Sequence, residues 1–567
     1  MIGQAMERKQ IIQSLNETGM LLELLGENYF KARAYYQSAE IIAGLPKEPA
    51  EYLREGEEPL IPGIGAAISK KIAELVRTGK LPYLDKMREQ VPPELPHLLK
   101  VPGLGAKRIN TLWKKAGITS LPELEQACRE DRLLGIPGFG SKTQEKILAG
   151  LAVLHTYEHS FLWFEIIGTV AQLQGALKGI PGVCAVEVTG DLRRRLEIVS
   201  GITLVVISSD TEAVKAAIPA VAGWEGMDEE KENIKGKYQG YPAALHLSSP
   251  DAAGTILWQT TGSDKHLKAV MENSKEKNFP PATAEEAGVY AAAHLPYIPP
   301  ELREDGAEVL IAEKGLLPQL VEEADIRGAF HIHTTYSDGV HTPEEMVRKA
   351  AEMGWEYIGI ADHSQSAFYA GGLKPEALDR QREELQALEK KYGIRIFKGV
   401  ESDILPDGNL DYPPGVLAKL DYVVGSIHSN FRQDRETMTR RICAALASPY
   451  LTILGHPTGR ILLSREGYEV DLEQVIETAA KYRKIIEINA SPYRLDLDWR
   501  WCRLAKSLGV KFAVNPDAHS VHELGLAVFG IGVARKGWLT KGDVVNAWER
   551  ERVIEYLIDM RKLDHLL

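Results

Sequence analysis

Nine side chains of metal-binding type recur between His331 and His519, each at or just beyond the end of a short apolar run. They are His331, His333, Asp338, His363, Glu401, His428, His456, Asp517 and His519. The runs read AFHIHT, YIGIADH, RIFKGVES, YVVGSIHS, LTILGHP, KIIEINAS and KFAVNPDAH, and six of the seven close on a His, an Asp, a Glu or a pair of them. Any one of these histidines would more often be a hydrogen-bonded core residue. Burying nine ionisable groups together is costly unless something pairs them, and a multinuclear metal site supplies that reason. Imidazole and carboxylate without thiolate suit Zn, Mn or Fe and argue against a structural cysteine-type zinc.

The intervening stretches, such as TPEEMVRKAAEMG and EALDRQREELQALEKKYG, carry helical periodicity, so the segment reads as repeated βα units. Barrels of parallel strands place reactive groups at the C-terminal strand ends. The i,i+2 spacing of His331/His333 and of Asp517/His519 predicts that each pair shares one face of a strand.

A second pattern lies in the N-terminal third, where IPGIGAAISKKI, VPGLGAKRINTL and IPGFGSKTQEKI repeat one theme. The glycines (Gly63, Gly65; Gly103, Gly105; Gly138, Gly140) permit a tight turn. The turn exposes backbone N–H groups at a helix start, where a phosphate oxygen can dock. Lys107 and Lys142 follow in the first helical turn. A lone Pro-Gly-x-Gly would be plain punctuation; three copies with basic followers predict grip on a nucleic-acid backbone without base reading.

With 567 residues the chain is long enough for several domains, and 44% hydrophobic with 26% charged residues is ordinary for a soluble protein. No signal peptide or membrane-length apolar stretch is present. Four scattered cysteines fit a reducing compartment, so a cytoplasmic, nucleoid-associated monomer is expected. The net charge of −12 alone argues against nucleic acid, but residues 1–155 carry 21 Lys+Arg against 19 Asp+Glu. DNA binding there must rely on local geometry rather than a broad positive field.

The motif series FHIHTTYSDG, IADHS, KGVESDI, GSIHS, LGHPTGR, EINASPYRLD and NPDAHS resembles the PHP (polymerase and histidinol phosphatase) domain, in the form fused to bacterial family X DNA polymerases. The resemblance implies three divalent metals, Mn²⁺ or Zn²⁺ with Fe as an option. His331, His333, Glu401 and Asp517 would hold the first. Glu401, His428 and His456 would hold the second, and Asp338, His363 and His519 the third. It also implies phosphodiester hydrolysis, with Glu401 and His428 catalytic and Arg460 neutralising phosphate oxygens. The glycine repeats resemble helix-hairpin-helix motifs, and residues 1–90 resemble the family's lyase domain, which puts Lys71 at the Schiff-base position.

Within TGDLRRRLEIVSGITLVVIS, Gly190, Arg193, Arg194 and Glu197 match the family's palm pattern. The positions of its three metal-binding aspartates are Gly201, Thr203 and Ala244, none able to hold Mg²⁺, and Asp191 stands where a Ser contacts the triphosphate. The expected architecture is multidomain. A lyase-like helical domain (1–90) and helix-hairpin-helix fingers (91–155) precede a mixed α/β palm and thumb (156–315). A linker (316–325) then leads to a distorted (β/α)7 PHP barrel (326–567).

The function implied is a DNA-repair 3′→5′ exonuclease, with abasic-site endonuclease activity as an extension and polymerase activity lost. The rival readings are a working gap-filling polymerase with the barrel as proofreader, a PHP phosphomonoesterase, and a non-catalytic DNA-end binder.

Overall fold

The glycine repeats and the apolar runs each build their own part of the molecule. A computed structural model describes residues 8–43, 45, 49–52, 61, 63–101, 104–156, 160–230, 233–274 and 279–564. The chain divides into two compact units, Met1–Glu158 and His159–Leu567.

The first unit is helical. Each repeat closes the same turn, with Ile64 N bonded to Ile61 O, Leu104 N to Val101 O and Phe139 N to Ile136 O, at 3.0–3.1 Å. Gly63 and Gly138 sit at φ +83° and +91°, the left-handed position that a type II turn reserves for glycine. Helices Ala66–Thr78, Ala106–Ala116 and Ser141–Thr156 start directly after the turns. The flanking Ile61, Val101, Leu104 and Phe139 are buried. They join one apolar core that runs from Ile11 to Leu151 through both expected helical domains.

In the second unit, residues 160–315 form a mixed sheet of β1 (Val183–Val188), β2 (Ile202–Ser208), β3 (Trp224–Glu230), β4 (Asn233–Tyr238) and β5 (Tyr241–Ser248). Its order is β1-β2-β5-β4-β3, with β2 and β5 parallel and the other pairs antiparallel. The β-branched run ITLVVIS makes β2 an inner strand, packed against the helix Trp163–Lys178 through Val170, Leu173 and Leu177.

The seven apolar runs become parallel strands: β6 (Gly328–Ile332), β7 (Tyr357–Ile360), β8 (Arg395–Lys398), β9 (Glu401–Asp403), β10 (Val424–Ser426), β11 (Ile453–Leu454), β12 (Ile485–Asn489) and β13 (Lys511–Asn515). β8 and β9 are halves of one run, split at Gly399–Val400. β8 pairs through β7 to β6, while β9 begins the row β9-β10-β11-β12-β13. At the split the backbone passes close to the Tyr422 ring, and only glycine fits, because a Cβ at Gly399 would lie 2.3 Å from that ring. Bridges Ile332–Ala518 and His363–Glu401 close the ring, giving the distorted seven-fold barrel. Phe330, Tyr357, Phe397 and Tyr422 fill its lower interior, backed by Trp548, Val553 and Leu557. The upper end is left to polar groups. The outer helices carry the caps their sequences advertise: Thr342 with Glu345, Asp434, Asp471 and Asp498.

Palm and barrel meet through charge and aromatic contacts. Arg500 pairs with Glu197 at 2.9 Å, Arg535 with Glu301 at 2.7 Å, and Phe164 meets Tyr493 edge-on at 4.9 Å. Lys536, buried, donates to the Arg194 carbonyl at 3.1 Å and also pairs with Glu304.

Candidate metal centre

All nine side chains converge at the C-terminal end of the barrel strands. Glu401, 1% exposed, is the hub. Its Oε1 lies 3.2 Å from His331 Nε2, 3.1 Å from His456 Nε2 and 3.3 Å from His428 Nε2. Its Oε2 lies 2.9 Å from His363 Nδ1 and 3.7 Å from His333 Nε2. Asp517 Oδ1 approaches His333 Nε2 at 3.2 Å and His331 Nε2 at 3.5 Å. Asp338 and His519, less buried, stand at the rim, 3.4 Å apart.

The expected grouping differs in detail. Ligand atoms cluster as His333/Asp338/His363/His519, His331/Glu401/His456, His331/His333/Asp517 and His363/Glu401/His428. His363 thus faces Glu401 as well as the rim. The strand-face expectation for the i,i+2 pairs needs correcting. His331 lies at a register shift with φ +57°, Asp517 lies beyond its strand at φ +52°, and His456 has φ +23°. The pairs converge because the backbone leaves extended geometry at the ligands. Such residues cost about 1–3 kcal/mol each and persist where surroundings over-determine them.

The donors fit divalent metals. His331 Nε2, both ring nitrogens of His333 and His363 Nδ1 are buried without a hydrogen-bond partner, a costly state unless lone pairs serve an ion. Burial opposes protonation of His331, yet Glu487, Asp517 and Glu401 outweigh it and hold its pKa well above the usual range. His428 rises to about 10 and His519 to about 9, carboxylates again overcoming burial. Burial, aided by His519 and His363, drops His333 to about 3. Glu401, although desolvated, is held well below normal by His331, His428 and His363.

Sequence reasoning missed the groups that orient these ligands. Glu487, fully buried, meets His331 Nδ1 at 2.7 Å and accepts from His456 N at 2.8 Å. Asp403 meets His428 Nδ1 at 2.6 Å, and the Asp517 carbonyl meets His519 Nδ1 at 2.9 Å. Asp362 accepts from Thr334 N and Thr334 Oγ1, both at 2.7 Å, and so pins the loop after His333. A signal was present: KIIEINAS is the one run that closes on no ligand, yet it carries a carboxylate inside an apolar strand.

Arg460 is held by local partners. Its guanidinium pairs with Asp498 at 2.5 Å and donates to the carbonyls of Arg494 and Leu495, so it staples a loop with three of its five N–H groups. Arg494, half-buried and with no carboxylate partner among the described residues, acts electrostatically on the Tyr369 phenol.

In the palm, Thr203 and Ala244 are direct neighbours across the β2–β5 pair. Gly201 has φ +153°, and a Cβ there would lie 2.4 Å from the Pro242 carbonyl oxygen. Arg193 and Arg194, which match the family's palm pattern, are paired internally. Arg193 makes a two-pronged pair with Glu286 at 2.8–2.9 Å. Arg194 pairs with Asp191 at 2.5 Å and Glu304 at 3.1 Å, and donates to the Thr261 carbonyl.

In the helical unit, Gly65, Gly105, Gly138 and Gly140 have open space where a Cβ would point, and Lys107 and Lys142 are exposed. Gly103 lies outside the described residues. Lys71 lies over the Tyr83 ring at 4.5 Å, and its pKa is lowered by burial and then by Lys31.

Residues 329–491 match the PHP domain family, 6–81 a helix-hairpin-helix domain and 95–152 a SAM-like helix-hairpin-helix tandem. The chain is 33% identical to the "DNA polymerase/3′-5′ exonuclease PolX" of Bacillus subtilis (strain 168), covering 97% of this chain and 99% of that protein. The barrel alone also resembles smaller proteins. A "probable phosphatase" of Thermoanaerobacter sp. (strain X514) is 32% identical over 41% of this chain and 94% of its own length. One from Vibrio parahaemolyticus is 29% identical over 34% and 78%. No described helix is long and apolar enough to cross a membrane. With similarity running the whole length of both chains, and the PHP and helix-hairpin-helix segments in their places, the chain belongs to the PolX family.

Proposed function

We propose that the barrel is a metal-dependent phosphodiesterase that trims DNA from its 3′ end, and that the palm no longer synthesises DNA. The observation that carries the first half is the convergence of nine imidazole and carboxylate side chains on Glu401, with buried ring nitrogens that nothing else satisfies. Mn²⁺ or Zn²⁺ held by these residues would activate water and polarise the phosphodiester. The chain's own groups prepare for this. Glu487 and Asp403 occupy the Nδ1 side of His331 and His428 and turn each Nε2 toward the centre. Arg494 supplies positive charge that reaches Tyr369, and the glycine turns at the helix starts offer N–H groups to a DNA backbone.

The 3′→5′ polarity and the DNA substrate are supported by the Bacillus relative's printed activity. The phosphatases share only the barrel, and a phosphomonoesterase has no need of three backbone-gripping turns.

Palm inactivity rests on the hydrogen, hydroxyl and methyl that stand where carboxylates would seat two cations. It rests equally on arginines already neutralised by Glu286, Asp191 and Glu304. A second activity, abasic-sugar lyase chemistry, is favoured by the depressed Lys71 amine, since a neutral amine is the nucleophile in Schiff-base formation.

The test uses an end-labelled primer–template with Mn²⁺, with and without nucleotides. Shortening from the 3′ end that Glu401→Ala abolishes is expected. Template-directed extension by Glu401→Ala would overturn the palm reading, and parental degradation by it would overturn the barrel reading.

A further inference from the structure

Two large aromatic side chains stand in water on the loop after His363 and take no part in the fold. Phe368 is 88% exposed and Tyr369 71%. They occupy a single helical turn, Phe368–Ala370, in the loop that follows β7 and His363. The Tyr369 ring lies 6.1 Å from the His363 ring and 6.4 Å from the His428 ring, centroid to centroid.

The loop is braced. Ser366 N and Gln365 Nε2 donate to Asp411 at 2.7 Å, and Leu373 N donates to the His363 carbonyl at 2.8 Å. Gly372 passes so close to Ser364 that a Cβ would fall 1.9 Å from its carbonyl oxygen. A braced backbone thus holds the Tyr369 ring about one nucleotide's reach from the reactive end of the barrel, with the exposed Phe368 ring next to it in the chain. Apolar surface exposed on a braced loop at a site mouth marks a binding surface. The Arg494 charge acts on the Tyr369 phenol, and an aromatic face combined with positive charge serves single-stranded nucleic acid.

We propose that Phe368 and Tyr369 form a stacking platform for the 3′-terminal nucleobase, lifting that base from the duplex and setting its phosphodiester against the metal ligands. The inference rests on the nuclease reading for its substrate and adds the feature that distinguishes a strand end from a simple phosphate ester. A π face tolerates any base, so trimming is indifferent to sequence.

The first arm is binding. A single-stranded oligonucleotide with 2-aminopurine at its 3′ end is titrated against Glu401→Ala and against the same protein carrying Phe368→Leu and Tyr369→Leu. Leucine keeps the apolar bulk and removes the ring. Quenching that appears with the rings, disappears without them and is absent for 5′-terminal 2-aminopurine is the expected result. Equal quenching with and without the rings, or none at either end, overturns the platform.

The second arm is turnover with the catalytic site intact. Removing the 3′-terminal base from the substrate is expected to lower kcat/KM roughly five- to hundredfold when the rings are present, the worth of one base–aromatic stack, and to make little difference when they are absent. The same penalty in both proteins overturns the proposal while leaving the nuclease standing. Quenching by the rings in a protein that cuts no DNA would instead sink the nuclease reading and keep the platform.

Discussion

Replacing Glu487 by Gln changes one oxygen to an amide and keeps the side chain's shape. Its carboxylate faces four groups that can donate: His331 Nδ1 at 2.7 Å and Asn515 Nδ2 at 2.9 Å on one oxygen, His456 N at 2.8 Å and Asn489 Nδ2 at 3.3 Å on the other. A glutamine offers one acceptor and two donors, so either orientation sets its NH2 against two of them. Turned toward His331, the amide forces Nδ1 to accept, moves the ring proton to Nε2 and blocks the ligating lone pair. Turned toward His456, it strands a buried backbone N–H, a loss of about 1–3 kcal/mol.

Orienting groups of this kind are worth about 10- to 100-fold in metal affinity, or roughly 1.4–2.7 kcal/mol. Competition against a fluorescent chelator should therefore show Glu487→Gln weakened by that factor, with activity recovering at high metal. Asp403→Asn should behave alike through His428. Parental metal affinity in both variants would refute the argument that these carboxylates set the ligand tautomers.

Four further outcomes are expected. Because His331, His428 and His519 hold protons above neutral pH in the metal-free site, metal loading should release protons and weaken as pH falls, read with a pH indicator and by calorimetry. Gly105→Ala with Gly140→Ala meets open space, so helicity should persist while DNA affinity drops, and affinity in the parent should fall steeply with salt in a filter-binding assay.

Glu286→Gln leaves fully buried Arg303 without its carboxylate partner, a loss of about 3–5 kcal/mol that should appear as a lower Tm at pH 7. Burial would raise the Glu286 pKa, but Arg303 and Arg193 hold it at about 2. Its contribution is present above the unfolded value near 4.5 and is lost as pH falls through about 2, so the Tm gap should close across that window. Finally, Gly201→Asp, Thr203→Asp and Ala244→Asp combined in Glu401→Ala should not restore extension on a primed template. A side chain at 201 collides with the Pro242 backbone, and Arg193 stays paired to Glu286.

The residue types and spacing of this chain were enough to locate the nine ligands, the parallel strands beneath them and the three glycine turns. Strand ends and Pro-Gly turns are local: apolar alternation, helical periodicity and a demand for positive φ are written within a dozen residues. Gly201, Thr203 and Ala244 stand out only beside the family pattern that the flanking residues resemble, since a missing carboxylate has meaning only against a template. What tertiary structure decided was which groups meet across distant sequence. Glu487 orients His331 from 156 residues away, and the Arg193 guanidinium is claimed by Glu286, 93 residues on. Arg460 is met by Asp498, a partner 38 residues away that the fold brings to it. A charged side chain's role depends on which counter-charge reaches it once water is excluded, and that partner is chosen by packing rather than by neighbours in the chain.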